Sequence, residues 1–299
     1  MEDIASGKNT ELTEPKTKFI KDTFSVYLGN REAISASDIK TFLKCPKLYK
    51  YKLDNYGKET EEEKKHLMLG TAIHHAILEP ESFYDLFASV PKVDKRTTQG
   101  KADWARFEFE NAGKTLLDSA DIEIIEGIKK SASGKEDLQK LLLNSEPEVS
   151  IYTSDNSTGL KIKLRPDALS LDKPTITDLK STLDSSIYSF SRDVFKWGYD
   201  VSAAFYTDFS GKQNYIFAAL DKTPPHCIGL FQLHQTIIED GREKYRMALD
   251  LIKWSIDNDY WCDYSEFDLL KAMYKENCLH QFFDALKSTS RIQTIYRNG

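Results

Sequence analysis

Asp167 in Arg165-Pro166-Asp167-Ala168, with Asp178 and Lys180 eleven and thirteen residues further on in Asp178-Leu179-Lys180, are the residues of this chain best suited to chemistry. Paired carboxylates are hard oxygen ligands that select a hard divalent cation, and such a cation polarises a phosphate and lowers the pKa of a bound water. A lysine beside them can orient or deprotonate that water, so the trio can make a site for phosphodiester hydrolysis. The stretch 160–182, LKIKLRPDALSLDKPTITDLKST, reads as two strands joined by a turn at 171–174. Side chains alternate faces along a strand, which puts Lys161, Lys163, Arg165 and Asp167 on one face and Leu160, Ile162 and Leu164 on the other. Asp178 and Lys180 share a face for the same reason. Convergence of Asp167, Asp178 and Lys180 is the expectation, with chemistry segregated from core along the first of these strands. The competing reading is a hairpin with surface charges, since Asp followed at a distance by Asp-x-Lys is a weak signal alone.

The elements that must position these residues are legible from periodicity. Ser35 or Ser37 can cap a helix carrying Ile39, Phe42, Leu43, Leu48 and Tyr51, interrupted at Pro46. Its Lys40, Lys44, Lys47, Lys50 and Lys52 either meet a polyanion or snorkel around a core helix. A second helix over 65–78 has Leu69, Ile73, Ala76 and Ile77 on its apolar side and contains both His74 and His75. These two lie about 100° apart around a helix axis and cannot serve one metal together. Lys92, Lys95, Arg96 and Lys101 are offered by a loop and helix over 90–114, and scaffold helices follow over 120–144. Strands are expected at 149–153, 160–169, 175–180, 215–220 and 228–235, with helices at 199–209 and 237–256. The pattern is an α/β fold, a mixed sheet with flanking helices.

Several motifs occur in a telling order: Gly70-Thr71-Ala72-Ile73-His74, Glu148 before an apolar strand, Pro166-Asp167-Ala168, Asp178-Leu179-Lys180, and YDVSAAFY over 199–206. The aspartate and lysine spacing resembles the core of the PD-(D/E)XK nuclease superfamily. The Gly70 to His74 spacing resembles the G-x-x-x-H motif of its RecB-like and RecE-like branches, and Glu148 their acidic residue ahead of the first core strand. Tyr206 matches the tyrosine of their Q-x-x-x-Y motif, while Ser202 stands where glutamine is usual. The phrases ISASDIKTFLKCPKLYKYK and LGTAIHHAILEPESF are similar to the carboxy-terminal nuclease domain of RecE, or exonuclease VIII, and its phage relatives.

That resemblance implies a restriction-endonuclease-like core over 34–263, with a polar segment at 1–33 and a helical appendage at 264–299 whose apolar faces pack either on their own domain or across a subunit boundary. It implies a magnesium-dependent exonuclease, manganese able to substitute, that digests one strand of duplex DNA from a 5′ end and leaves a 3′ tail for an annealing protein. The implied metal set is His74, Asp167, Asp178, the Leu179 carbonyl and Glu148, with Lys180 positioning the water. DNA would meet Lys44, Lys47, Lys161, Lys163, Arg165 and Tyr206, Tyr206 either contacting the terminal nucleotide or bracing the ligands. A ring-shaped trimer or tetramer that encircles DNA is implied as well. Two rivals stay open: a single-strand or structure-selective nuclease of the RecB-like branch, and a catalytically inactive DNA-binding accessory, for which Ser202 is the motive.

At 299 residues with 40% hydrophobic content, the chain can bury a substantial core. No apolar run suits a membrane span, and the amino terminus lacks the basic start and apolar stretch of a secretory signal, so a cytoplasmic setting is expected. The net charge of −6 argues against DNA binding only until its distribution is considered: acidic residues gather in the tail, at 59–63 and at 118–126, which leaves room for a locally basic channel elsewhere. Cys45, Cys227, Cys262 and Cys278 are scattered with no C-x-x-C pair. Although Cys45-Pro46 resembles the first element of the iron–sulfur nucleases, the spacing of the other three argues against a cluster.

Overall fold

The computed structural model describes residues 17–58 and 61–288; the polar stretch 1–16 and the start of the acidic run at 59–60 lie outside the described residues. The chain enters through a short strand β1 (Lys18–Ile20) and helix α1 (Phe24–Gly29), which starts where the Thr23 hydroxyl accepts the Val26 amide. Helix α2 (Ala36–Lys44) begins with a reciprocal cap: Ser35 Oγ accepts the Asp38 amide and Asp38 Oδ2 accepts the Ser35 amide at 2.9 Å. Cys45 is extended, and Pro46, suited to a first helical turn, opens α3 (Pro46–Asp54). There follow α4 (Glu61–Leu78), α5 (Phe83–Leu86), β2 (Phe87–Ser89), α6 (Thr98–Glu110), β3 (Thr115–Leu117), α7 (Ser119–Gly134) and α8 (Glu136–Leu142).

The second half of the fold comprises β4 (Ser145–Pro147), β5 (Ser150–Ser154), β6 (Lys161–Leu164), β7 (Ala168–Ser170), β8 (Thr175–Thr182), α9 (Ile187–Lys196), α10 (Tyr199–Ser210), β9 (Asn214–Asp221), β10 (Ile228–Gln232) and α11 (Gln235–Asn258). Helices α12 (Tyr264–Lys275) and α13 (Phe282–Ser288) end the described chain. The main sheet runs β10-β9-β8-β7-β4, parallel only between β8 and β9. A second sheet, β1-β5-β6, is antiparallel, and β2 pairs with β3 in parallel.

Both faces of the main sheet are covered. On one, Leu179, Ala218 and Leu220 pack with Ala72, Ile73 and Ala76 of α4 and with Ile125 and Ile128 of α7. On the other, Ile176, Tyr215, Phe217 and Ala219 pack with Phe190, Phe205, Tyr245 and Phe42. Each fully buried aromatic of this kind contributes roughly 2–3 kcal/mol by area. Asp178 and Lys180 share the second face of β8 with the buried Ile176.

Two expectations are corrected. The strand over 160–169 is two strands in two sheets: Pro166 offers no amide to a ladder, and the chain changes sheet across Arg165, Pro166 and Asp167. The described part of the polar segment, residues 17–33, is docked rather than peripheral. β1 pairs with β5, Tyr27 is buried, and Asp22 accepts from Ser150, Tyr152 and Arg165. Of the two readings for the apolar faces beyond 263, the described residues show packing on their own domain: Phe267, Leu270 and Phe282 are buried in the core, and Phe42 meets Phe267 edge to face at 5.4 Å. No helix among the described residues is long and apolar enough to cross a membrane.

Candidate active site

His74 projects from α4, Asp167 sits at the joint between β6 and β7, and Glu148 lies in the link between β4 and β5. One ligand atom from each lies within 4.8 Å of the other two. The joint itself is tied from both sides. Its Asp167 carbonyl accepts the Glu148 amide at 3.1 Å, and Glu148 takes φ 53°, a left-handed conformation that non-glycine residues adopt rarely. Strain of this kind concentrates at functional sites. Asp167 Oδ2 accepts the Leu179 amide at 2.7 Å and stands 3.5 Å from His74 Nδ1, so the first motif is locked onto the second. Asp178, outside the three-residue group, turns its carboxylate to the Lys180 ammonium in a close ion pair. His74, Glu148 and Asp167 line a cavity of about 900 Å³ that is also lined by the docked amino-terminal segment, including Asp22, Tyr27 and Arg31.

Burial sets the electrostatics, and neighbours then decide the sign. Burial would raise Asp167, but His74, Lys180 and the Leu179 amide outweigh it and hold the carboxyl below its usual range. Burial lowers His74, and the Asp167 carboxylate more than reverses this. Glu148 is pushed up to about 7 by burial and by the Asp167 charge, against the pull of Arg165 and His74. Burial, aided by Asp167, also raises Asp178 despite Lys180 beside it. Lys180 rises above an ordinary lysine because Asp178 and Asp167 overcome its desolvation. Lys40, whose stem covers Gly198, falls to about 8 through burial and the nearby Lys180 charge.

The expected DNA-contacting cations divide. Lys44 and Lys47 are exposed. Lys163 is corrected: its side chain is buried, and its ammonium donates to the Tyr27 and Asn30 carbonyls at 3.0 and 2.6 Å. Arg165 is corrected likewise, because its guanidinium donates to Glu148 at 2.8 Å, Asp22 at 2.9 Å and Ser150 at 2.7 Å. Lys161 pairs with Glu32 at 2.6 Å and lines a separate groove with Ile20 and Tyr152, away from the site. The Tyr206 hydroxyl donates to the Arg165 carbonyl at 3.3 Å and accepts its amide at 3.4 Å, a brace on the joint that carries Asp167. Ser202 faces its own helix, donating to the Gly198 carbonyl at 3.4 Å. Cys45 and Cys262 are buried, Cys278 half-buried and Cys227 exposed, all as free thiols.

Sequence reasoning missed Asp22, Tyr199 and Tyr215. Tyr215 faces Asp178 as a hydrogen-bond partner, the Tyr199 ring lies 5.4 Å from the Lys180 ammonium, and Asp22 anchors Arg165. For Tyr215, the parallel pairing that sets Asp178 beside Phe217 was the missing information. Asp22 carried no local signal at all.

A family model described as a PDDEXK-like domain of unknown function (DUF3799) matches residues 35–272. Among solved structures, a presumptive exonuclease from Eubacterium rectale superposes with a TM-score of 0.57 at 17% identity, covering 93% of this chain and 97% of that one. A phage-related exonuclease from Haemophilus somnus 129PT gives a TM-score of 0.33 at 14% identity, covering 63% of this chain and 95% of that one. Only the first is close enough to speak to the fold. No curated protein matches the chain.

Proposed function

The chain belongs to this PDDEXK-like family and is a nuclease of that type, and we propose that it is a magnesium-dependent exonuclease of linear double-stranded DNA. It would act from the 5′ end in the cytoplasm of a bacterial host, leaving 3′ single-stranded tails for an annealing protein. The observation that supports this reading is the convergence of His74, Glu148 and Asp167 on one wall of a cavity, with Lys180 beyond Leu179 on the adjoining strand. Two carboxylates and an imidazole suit magnesium or manganese. Glu148 is pushed up to about 7 first by burial and then by the Asp167 charge, so a cation bound there would compete with a proton. When bound, a divalent cation would polarise the scissile phosphate and acidify a water.

The chain's own groups do the rest. Asp167, Glu148 and His74 would hold the cation, with Asp178 and the Leu179 carbonyl available to complete the set. Asp178 keeps Lys180 protonated, so that lysine acts as a fixed donor to the attacking water or the phosphate rather than as a general base. Tyr206 and Arg165 keep the Asp167 joint and Glu148 in register. A trimeric or tetrameric ring would retain the duplex between turnovers.

The test is digestion of linear duplex labelled separately at its 5′ and 3′ ends, with magnesium, with manganese and with EDTA. Metal-dependent release of the 5′ label first, while 3′ single strands accumulate, is the expected result. Cutting of single strands alone, or no cutting, overturns the duplex reading.

A further inference from the structure

The surface around α9 carries an apolar run outside the catalytic cavity. Leu183, Ile187, Tyr188, Phe195 and Trp197 are 70, 72, 75, 58 and 52% exposed. Single exposed apolar residues need no explanation, but five within one short stretch of a soluble surface do. They alternate with cations. Tyr188, Arg192 and Lys196 follow one another at four-residue steps and share a face of α9, and the Lys196 ammonium lies 4.6 Å over the Trp197 ring. Beside this face runs a groove of about 550 Å³, lined by Arg192, Lys196, Trp197 and Lys222 and by the hydroxyl-bearing Ser181 and Thr182. Its lining includes Tyr199, whose ring is 5.4 Å from the Lys180 ammonium, so the groove adjoins the proposed catalytic lysine.

We propose that α9 and this groove bind single-stranded nucleic acid, with bases stacked on Tyr188 and Trp197 and phosphates against Arg192, Lys196 and Lys222. The assignment rests on the nuclease reading above and deepens it, by giving the unpaired strand a place beside the site. Aromatic faces accept any base, and interleaved cations follow the phosphate backbone, which is how strands are held without sequence preference. Charge favours this occupant: three cations outnumber Asp184 and Asp193 in the groove, in a chain whose net charge is −6. Asp184 is moreover engaged by the Ser186 amide at 2.8 Å. A second copy of the chain is the weaker fit, because the centres of protein interfaces are depleted in lysine.

The experiment is titration of the protein in EDTA, where no cleavage occurs, with a short oligodeoxythymidylate while tryptophan emission is followed. Stacking should quench the emission, and Trp197→Phe should remove most of that quenching. Tyr188→Ala combined with Trp197→Ala should weaken binding by about tenfold or more. Unchanged quenching in Trp197→Phe together with unchanged affinity in the double variant overturns the proposal. So does a double variant that sediments as a smaller species with its strand affinity intact, which would give the surface to a second copy. The two readings fail separately: a chain that stacks the strand on Trp197 yet leaves duplex ends uncut keeps this surface and loses the duplex exonuclease. A chain that digests duplex from the 5′ end with an unresponsive Trp197 does the reverse.

Discussion

In metal-free protein, Glu148→Gln should abolish a pH dependence of folding that the wild-type chain carries. The Glu148 carboxyl stands at about 7 in the fold against 4.5 for an ordinary glutamate, raised by burial and by Asp167. It holds its proton more tightly folded than unfolded, so its contribution is complete below about pH 4.5 and is lost as the pH climbs to about 7; the displacement is worth about 3 kcal/mol. Glutamine keeps an acceptor for the Arg165 Nε–H, and Asp22 still anchors that guanidinium. The variant should therefore fold without the titration. His74 and Asp178 are also raised and contribute in the same direction, which makes the difference between the two curves the informative quantity. The assay is urea denaturation in EDTA across this window, for both proteins. The difference should widen by about 3 kcal/mol in favour of the variant between the acid and neutral ends. Magnesium binding must displace the same proton, so wild-type affinity should fall by up to about tenfold per pH unit below 7. Parallel stability curves would refute the argument that Glu148 is a buried acid strained by its neighbour.

Lys180→Met should lower cleavage by about 10² or more while duplex binding in calcium stays near wild type, and turnover within a few-fold of wild type would remove the lysine from the chemistry. Lys44→Glu with Lys47→Glu should weaken duplex binding and reduce the slope of log affinity against log salt by up to about 2; an unaltered slope would make those lysines merely solvated. Gly241→Ala places a methyl carbon 2.2 Å from the Asp200 carbonyl oxygen, where α10 and α11 are packed backbone to backbone. It should cost about 1–3 kcal/mol by thermal denaturation even though alanine is the better helix former, and an unchanged melting temperature would mean the two helices can separate freely.

Long periodic elements were legible in the sequence, and the joints between them were not. The helix read at 237–256 is α11 (Gln235–Asn258), extended by a His234 side chain that accepts the Thr236 amide. The strand read at 175–180 is β8 (Thr175–Thr182). The failure at 160–169 has a plain cause: alternation continues smoothly through Pro166, and alternation cannot distinguish one strand from two end-to-end strands in different sheets. Proline was the available signal. Breaking the strand there frees the Asp167 carboxylate to accept the Leu179 amide while Ala168 returns to the ladder beside Thr177.

The cations show why a motif can name reacting atoms without naming the surface that binds substrate. Period-two alternation grouped Lys163, Arg165 and Asp167 on one face, and all three do border the cavity. Yet the Lys163 ammonium is bound by carbonyls 136 and 133 residues away, and Arg165 by an aspartate 143 residues away. Partners that distant leave no local pattern, because they are chosen by how β1 and α1 dock on β5 and β6 rather than by neighbouring residues. A buried cation without such partners would cost several kcal/mol, so the docked segment satisfies a demand that Lys163 and Arg165 create. The same docking withdraws both charges from any phosphate. Under the proposed function, electrostatic attraction for DNA would have to come from other, exposed cations; Lys44 and Lys47 are exposed, and the Lys44→Glu and Lys47→Glu salt titration reads their share directly.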